Sequence, residues 1–311
     1  MEKPISKNKS GKGFGRLINK IIHQKYFSLI MWLIGLVILW EILAIACDAK
    51  FNHGFYYIPH IHQIFGSIFD SSIKIGGESS FKMILSATVS TLSRALLGFL
   101  IGTILGFVLA FLMDISKVVE KIAFPYLMII QMIPIIGMAP VIFAIAGDVS
   151  AARIIIAAIL TFYPVTTNVM AGFKSIEQEK HDLMNIVSAK WYQKYFYTKF
   201  PACLPHFFTG LKIAAPLAIT ASVLVDTLQG GNTLGGLISQ SLKGVPSYYV
   251  FWEIVIICAI IGVGSSALVG LLDFVFCPYR HGRKSIGTLI AIYKEKKIEI
   301  IKKEELQNET D

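Results

Sequence analysis

The sequence predicts an all-α, polytopic membrane protein with six spanning helices, and three observations predict it. Hydrophobic residues make up 54% of the 311, more than a water-soluble domain of ordinary composition carries. Six stretches, at about 27–47, 83–113, 122–147, 151–172, 204–228 and 250–276, reach the roughly 20 mostly apolar residues that a spanning helix needs. Lys and Arg are unevenly shared: twenty-two fall in 1–26, 114–121, 173–200 and 280–311, against five (Lys50, Lys74, Lys82, Arg153, Lys243) in the alternating segments. Basic residues accumulate on the cytoplasmic side, so both termini and the 173–205 segment are expected there. The net charge of +9 is then a mark of topology. No aromatic-interleaved basic surface accompanies it, and nucleic acid is not an expected partner.

Residues 1–26 form a basic cytoplasmic tail. The first span, 27–47, carries Glu41 and is followed by no small-residue cleavage site, so it reads as a retained helix rather than a signal peptide. The outer loop, 48–82, spaces Ile58, Ile61, Ile64, Phe65 and Phe69 as one helical face, which predicts a helix lying in the outer interface; GGESS then reads as a turn. The second span carries Gly98, Gly102 and Gly106 four residues apart, a spacing that lets membrane helices approach closely. Arg94 would be costly facing lipid and is expected near the outer end, paired or snorkelling.

The third span contains Pro125, Pro134 and Pro140. Proline removes a helix hydrogen bond and kinks the chain, and irregular backbone survives in a membrane only when buried in protein or lining a cavity. This span is therefore a candidate wall of a translocation path. The fourth span adds Pro164 and Asn168. Between it and the fifth lies FKSIEQEKHDLMNIVSAKWYQKYFYTKFPACLP, over 173–205, too long for a simple turn. A helix from about Glu179 to Tyr195 would present Leu183, Ile186, Val187, Tyr192 and Tyr195 to a groove on a soluble subunit, or rest on lipid headgroups. The charged tail over 281–311 reads as a short solvated or interfacial helix.

Cys47, Cys203, Cys258 and Cys277 form no C-x-x-C pair and read as small apolar fillers. His60 and His62 sit in the outer loop without an evident third ligand, so no metal is expected.

The runs TLSRALLGFLIG, IPIIGMAP, FYPVTTNVMAGF, FPACLPHFFTGLK and TLGGLI, in that order, resemble the permeases of binding-protein-dependent ABC importers, most of all their nitrate, sulfonate and taurine branch. The likeness covers about 55–280, with 83–280 as the permease core. It implies the type I ABC importer permease fold, a second permease copy, ABC ATPase subunits, an extracytoplasmic substrate-binding protein and a prokaryotic cytoplasmic membrane. It also implies a coupling loop at Asp182, Leu183, Met184, Ser188, Ala189, Pro201, Pro205 and Gly210. Here Asp182 stands for the usual Glu, Leu183 and Met184 for two alanines, and Ser188 for Gly. The chain has no G-x-x-x-x-G-K-[ST] phosphate loop, so ATP and Mg are expected on the partner ATPase, and this chain is not expected to be an enzyme or to bind a cofactor.

Candidates for the path are Gln131, Met132, Pro134, Thr161, Asn168 and Asp226, since polar groups and broken backbone inside a membrane are functional hypotheses first; for Thr161 and Asn168 helix–helix hydrogen bonding explains them equally well. The expected cargo is a sulfonate-, nitrate- or taurine-like anion, with a thiamine precursor or other heterocycle as the alternative. A channel would not need so long a docking segment, and a membrane-embedded enzyme would need more clustered ionisable groups.

Overall fold

The computed structural model describes residues 25–51, 58–69, 74–75, 78–243 and 248–277. The tail at 281–311, nearly all of that at 1–26 and parts of the outer loop, including Gly76 and Gly77 of the GGESS turn, lie outside them. Eleven α-helices are described: α1 (Lys25–Lys50), α2 (Ile61–Phe69), α3 (Ser80–Ile115), α4 (Lys117–Met132), α5 (Ile135–Ala146), α6 (Val149–Lys174), α7 (Gln178–Ile186), α8 (Trp191–Lys194), α9 (Phe200–Gln229), α10 (Leu234–Ser241) and α11 (Tyr248–Phe276). A π-helical turn over Tyr195–Lys199 joins α8 to α9, and Lys74–Ile75 pairs with Glu78–Ser79 before α3.

Helix ends follow local chemistry. Ser116 closes α3, and its hydroxyl accepts from Val119 N to open α4. Asp148 opens α6 by accepting from Ala151 N at 3.0 Å, just after Gly147 has ended α5 at φ 70°. Each side-chain cap satisfies an amide that the helix cannot satisfy itself.

Among the described residues five helices are long and apolar enough to cross a membrane, and α4 with α5 forms a bent apolar pair that makes a sixth if the two are one span. Here the structure corrects the sequence: 122–147 is not one kinked helix but two, bent by 111°. Only Pro134 makes the break, because Pro125 and Pro140 are carried inside α4 and α5. Ile133, at ψ 127°, is extended, as a residue ahead of proline tends to be.

The centre of the bundle is α6, packed between α3 and α9. The glycine stripe of α3 sets that distance. A Cβ on Gly98 would lie 2.7 Å from Ile154 O, and one on Gly106 would lie 2.8 Å from Phe162 O. On the other flank, a Cβ on Gly210 would meet Pro164 O at 2.9 Å. Backbone-to-backbone contact of this kind supplies van der Waals attraction where lipid supplies no hydrophobic drive between helices. By contrast α1 exposes apolar residues on all sides, from Ile30 to Ile45, as a lipid-facing helix does.

Aromatic rings gather where α3 and α6 end near 173–205. Phe111 meets Tyr195 edge-on at 5.2 Å, Phe107 meets Phe207 at 5.5 Å, and Phe173 and Phe200 close the group. Towards the other end, Ile84, Leu234, Leu237, Val250 and Ile254 join α3, α10 and α11. The outer helix begins at Ile61, so Ile58 is not part of it, and it does not lie free in an interface. Ile64 and Ser67 are buried, and Ser67 Oγ donates to Glu253 Oε1 of α11 at 2.5 Å.

Candidate translocation cavity and docking surface

Three successive turns of α6 repeat a pattern: Ile159 and Leu160, Tyr163 and Pro164, then Thr167 and Asn168. Spacing by four puts these pairs on one face. That face, with Ile130, Gln131 and Ile133 from the end of α4, Ile135 from α5, and Ile213, Leu217 and Thr220 from α9, lines a cavity of about 480 Å³. Its polar groups are all uncharged. Thr167 Oγ1 donates to Tyr163 O at 3.0 Å and Thr220 Oγ1 to Pro216 O at 2.9 Å, so both hydroxyls are held by their own helices. Asn168 Nδ2 donates to Pro164 O at 2.7 Å, which leaves its Oδ1 as an acceptor.

Of the path residues named from sequence, the structure brings Gln131 and Asn168 together on this lining. Met132 and Pro134 are exposed at the α4–α5 break beside it. Thr161 is fully buried and lies against α3, where a Cβ on Gly102 would be 2.8 Å from its own Cβ. Tyr163, Thr167 and Thr220 were not foreseen; the four-residue spacing of Ile159, Tyr163 and Thr167 was the signal for two of them.

Asp226 is placed elsewhere and does not sit at an interface with solvent. It is fully buried and pairs with Arg153 of α6, itself 5% exposed. Thr91 Oγ1 of α3 donates to Asp226 Oδ2 at 2.9 Å and accepts from Leu234 N at 3.2 Å. Thr233, which caps α10 through Gly236 N, completes a network joining α3, α6, α9 and α10. Arg153, counted from sequence with the outer loops, is thus a buried structural charge. A carboxylate and a guanidinium can be buried together because each satisfies the other; removing one partner of such a pair costs about 3–5 kcal/mol.

Two other cations in the spans are also held, Arg94 by neutral groups and Lys212 by a carboxylate. Arg94 Nε donates to Ser150 Oγ at 2.9 Å and Nη1 to Ser90 O at 2.9 Å. Lys212 Nζ reaches Asp273 Oδ2 at 2.6 Å. None of these three cations lines the cavity.

The segment after α6 departs from the single helix expected over 179–195. It forms α7, a turn, and α8. The turn is a complete Schellman closure: Ala189 N donates to Met184 O at 2.9 Å and Ser188 N to Asn185 O at 2.9 Å. That geometry requires a left-handed residue, and Ser188 takes it at φ 48°. Glycine takes such a φ freely, and Ser188 takes it at a conformational cost. Beyond the turn, Lys190 N donates to Gln193 Oε1 at 2.7 Å, and Lys194 Nζ ties α8 to Asn185 Oδ1 at 2.7 Å.

Leu183, Ile186, Val187 and Tyr192 are exposed, as are Trp191, Phe196 and Tyr197. Tyr195 is not on that face. Its hydroxyl donates to Asp114 Oδ2 at 2.7 Å, where Lys199 also arrives at 2.7 Å, anchoring the π-helical turn to the end of α3. Asp182 is exposed and accepts from Gln178 Nε2 at 3.1 Å; Met184 and Ala189 are half-buried. Pro201 lies directly after the π-helical turn, at the second residue of α9. Pro205 lies one turn further, and Gly210 where α9 touches α6.

Comparison with known proteins agrees with this architecture. Over 250 residues the chain is 28% identical to the formylaminopyrimidine transport permease protein ThiX of Halalkalibacterium halodurans, covering 80% of this chain and 94% of that one. It is 34% identical to the riboflavin transport system permease protein RibX of Chloroflexus aurantiacus (60% and 69% covered). It is 24% identical to the nitrate import permease protein NrtB of Leptolyngbya laminosa (83% and 90% covered). Among solved structures, an amino acid ABC transporter crystallised with histidines shares the fold at a TM-score of 0.52 and 19% identity, over 64% of this chain and 94% of that chain. Residues 102–276, more than half of the chain, match the model of the binding-protein-dependent transport system inner membrane component, and the chain belongs to that family of ABC importer permeases.

Proposed function

We propose that this permease carries a small, flat, uncharged or weakly charged heterocycle into the cell. The observation that supports this most is the cavity: apolar walls, an aromatic ring at Tyr163, amides at Gln131 and Asn168, and no cation among its lining residues. An aromatic heterocycle can lie against Tyr163 and exchange hydrogen bonds with the two amides. A nitrate or sulfonate stripped of water there would meet no opposing charge, at a cost of several kcal/mol. The likeness to ThiX and RibX, whose names give a pyrimidine and a flavin as cargo, points the same way. The second reading, a nitrate-, sulfonate- or taurine-like anion, draws on the likeness to NrtB, and under it the cation would have to come from another subunit.

In this reading a second permease copy completes the path, and a substrate-binding protein delivers cargo at the end away from 173–205. Two ABC ATPase subunits holding ATP and Mg dock on the exposed face of α7 and α8. Their closure moves those helices. Because the π-helical turn runs without interruption into α9, and Asp114 and the aromatic group fix its base, the motion passes into the wall of the cavity. Both termini and 173–205 are then cytoplasmic, and lipid surrounds α1.

The test is to purify the complex through a tag on this chain and identify both the chains and the small molecule that travel with it. A phosphate-loop ATPase, together with a binding protein loaded with a neutral heterocycle by mass spectrometry, is expected. A binding protein loaded with nitrate or an alkanesulfonate would overturn the substrate reading, and absence of any ATPase would overturn the docking reading.

A further inference from the structure

We propose a divalent transition-metal site of the zinc class at the end of the bundle away from α7, built from Glu41 of α1 and His60 and His62 at the start of α2. One donor atom from each lies within 4.8 Å of the others. In the sequence the two histidines lack a third ligand; the fold supplies it from a helix 19 residues earlier. The imidazole rings stack at 5.4 Å between centroids, which sets two ring-nitrogen donors beside one carboxylate. Two histidines and a glutamate make a donor set that zinc accepts, with a fourth position left for water.

The surroundings are those of a supported site. Glu41 Oε2 lies 2.7 Å from His60 Nδ1, and its other oxygen accepts from Ile61 N at 3.1 Å, fixing the carboxylate. Asp48 Oδ2 lies 3.2 Å from the opposite ring nitrogen, Nε2, of His60. With metal on Nδ1, Nε2 keeps the proton and donates it to Asp48, the carboxylate–histidine–metal arrangement that orients a ligating ring. A tetrahedral ion at roughly 2.0–2.2 Å from each donor spaces them by roughly 3.3 Å, so the close pair opens and the wide one closes through side-chain rotation. His62 is exposed and Glu41 and His60 half-buried, which leaves an entry route from solvent. Bound metal would clip α2 to α1. Trp40 Nε1 already donates to Pro59 O at 3.0 Å, and Ser67 ties the other end of α2 to α11.

The experiment uses the full-length permease in detergent, stripped with chelator and dialysed against micromolar zinc. Retained metal is measured by mass spectrometry, and cobalt(II) absorption reports coordination. About one zinc ion per chain and a tetrahedral cobalt spectrum are expected, with zinc raising Tm. His62→Gln, on an exposed residue, should fold with an unchanged metal-free Tm, lose zinc affinity by about 100-fold or more, and lose the Tm rise. Glu41→Gln should do the same to binding. Failure of the unmodified chain to retain zinc overturns the proposal and leaves a plain histidine–carboxylate cluster. Retention by both variants, or its loss in Cys47→Ser, places the metal elsewhere and also overturns it.

Discussion

Two of the polar regions inside the bundle are built on opposite plans. Around Asp226 the groups are charged or hydroxylic and buried: Arg153, Thr91 and Thr233 bring four helices to one carboxylate. Around the cavity the groups are neutral and half-open, and their hydrogen bonds run mostly to their own helix, leaving spare acceptors such as Asn168 Oδ1. A charge inside a membrane is tolerable only where a partner is permanently fixed. The permease therefore uses its charges to hold helices together and keeps them off the lining of the cavity. A moving ligand meets groups whose alternatives with and without it differ by little.

The largest effect should come from breaking the ionic plan. Asp226→Leu leaves Arg153 buried without a counter-charge and should cost about 3–5 kcal/mol, seen as loss of folded, monodisperse protein in detergent. The double substitution Arg153→Leu with Asp226→Leu should recover most of that loss, because the ion pair repays little beyond its own desolvation. If the double variant is as poorly folded as the single, the network has a role beyond charge neutralisation.

Next comes the neutral plan. Asn168→Leu keeps the Cβ that Gly210 packs against and removes the amide. Uptake should fall by about five- to tenfold, the worth of one hydrogen bond of about 1–1.4 kcal/mol, while Tm stays within about 1 °C. Equal losses of uptake and Tm would show that Asn168 is a packing residue, as its bond to Pro164 O would then imply.

The two plans were unequally legible in the sequence. Apolar length is a property of whole segments, and it marked the five long helices and the region of the bent pair without reference to contacts. The glycine stripe, too, reads correctly because one helix face is a local pattern. Asp226 does not, since its partner Arg153 lies 73 positions away and only the packing of α6 on α9 reveals that the two meet. Pro134, alone of three prolines, breaks the third span, and nothing local separates it from Pro125 or Pro140. On the 173–205 segment the apolar residues were visible, but the turn at Ser188 divides the expected helix in two. It exchanges Tyr195 for Trp191, Phe196 and Tyr197 on the exposed face.

A smaller effect belongs to that turn, outside both polar regions. Ser188→Gly should relieve left-handed strain and stabilise the end of α7 by about 0.5–1 kcal/mol, measured by amide exchange at Ser188 and Ala189. Ser188→Arg, which adds an unpaired charge on the proposed docking face, should lower both ATPase association and uptake while the permease still reaches the membrane. Retention of both at the unmodified level would show that α7 does not dock.

The neutrality of the cavity is tested most directly by cargo competition in proteoliposomes holding the complete transporter. ATP-dependent, saturable uptake of a labelled pyrimidine or flavin-like heterocycle is expected, unaffected by excess nitrate or taurine. Gln131→Arg, which puts a cation on the lining, should depress that uptake by about tenfold or more, as a charge desolvated without a partner requires. Uptake of nitrate or taurine by the unmodified transporter, with no uptake of any heterocycle, would contradict the account.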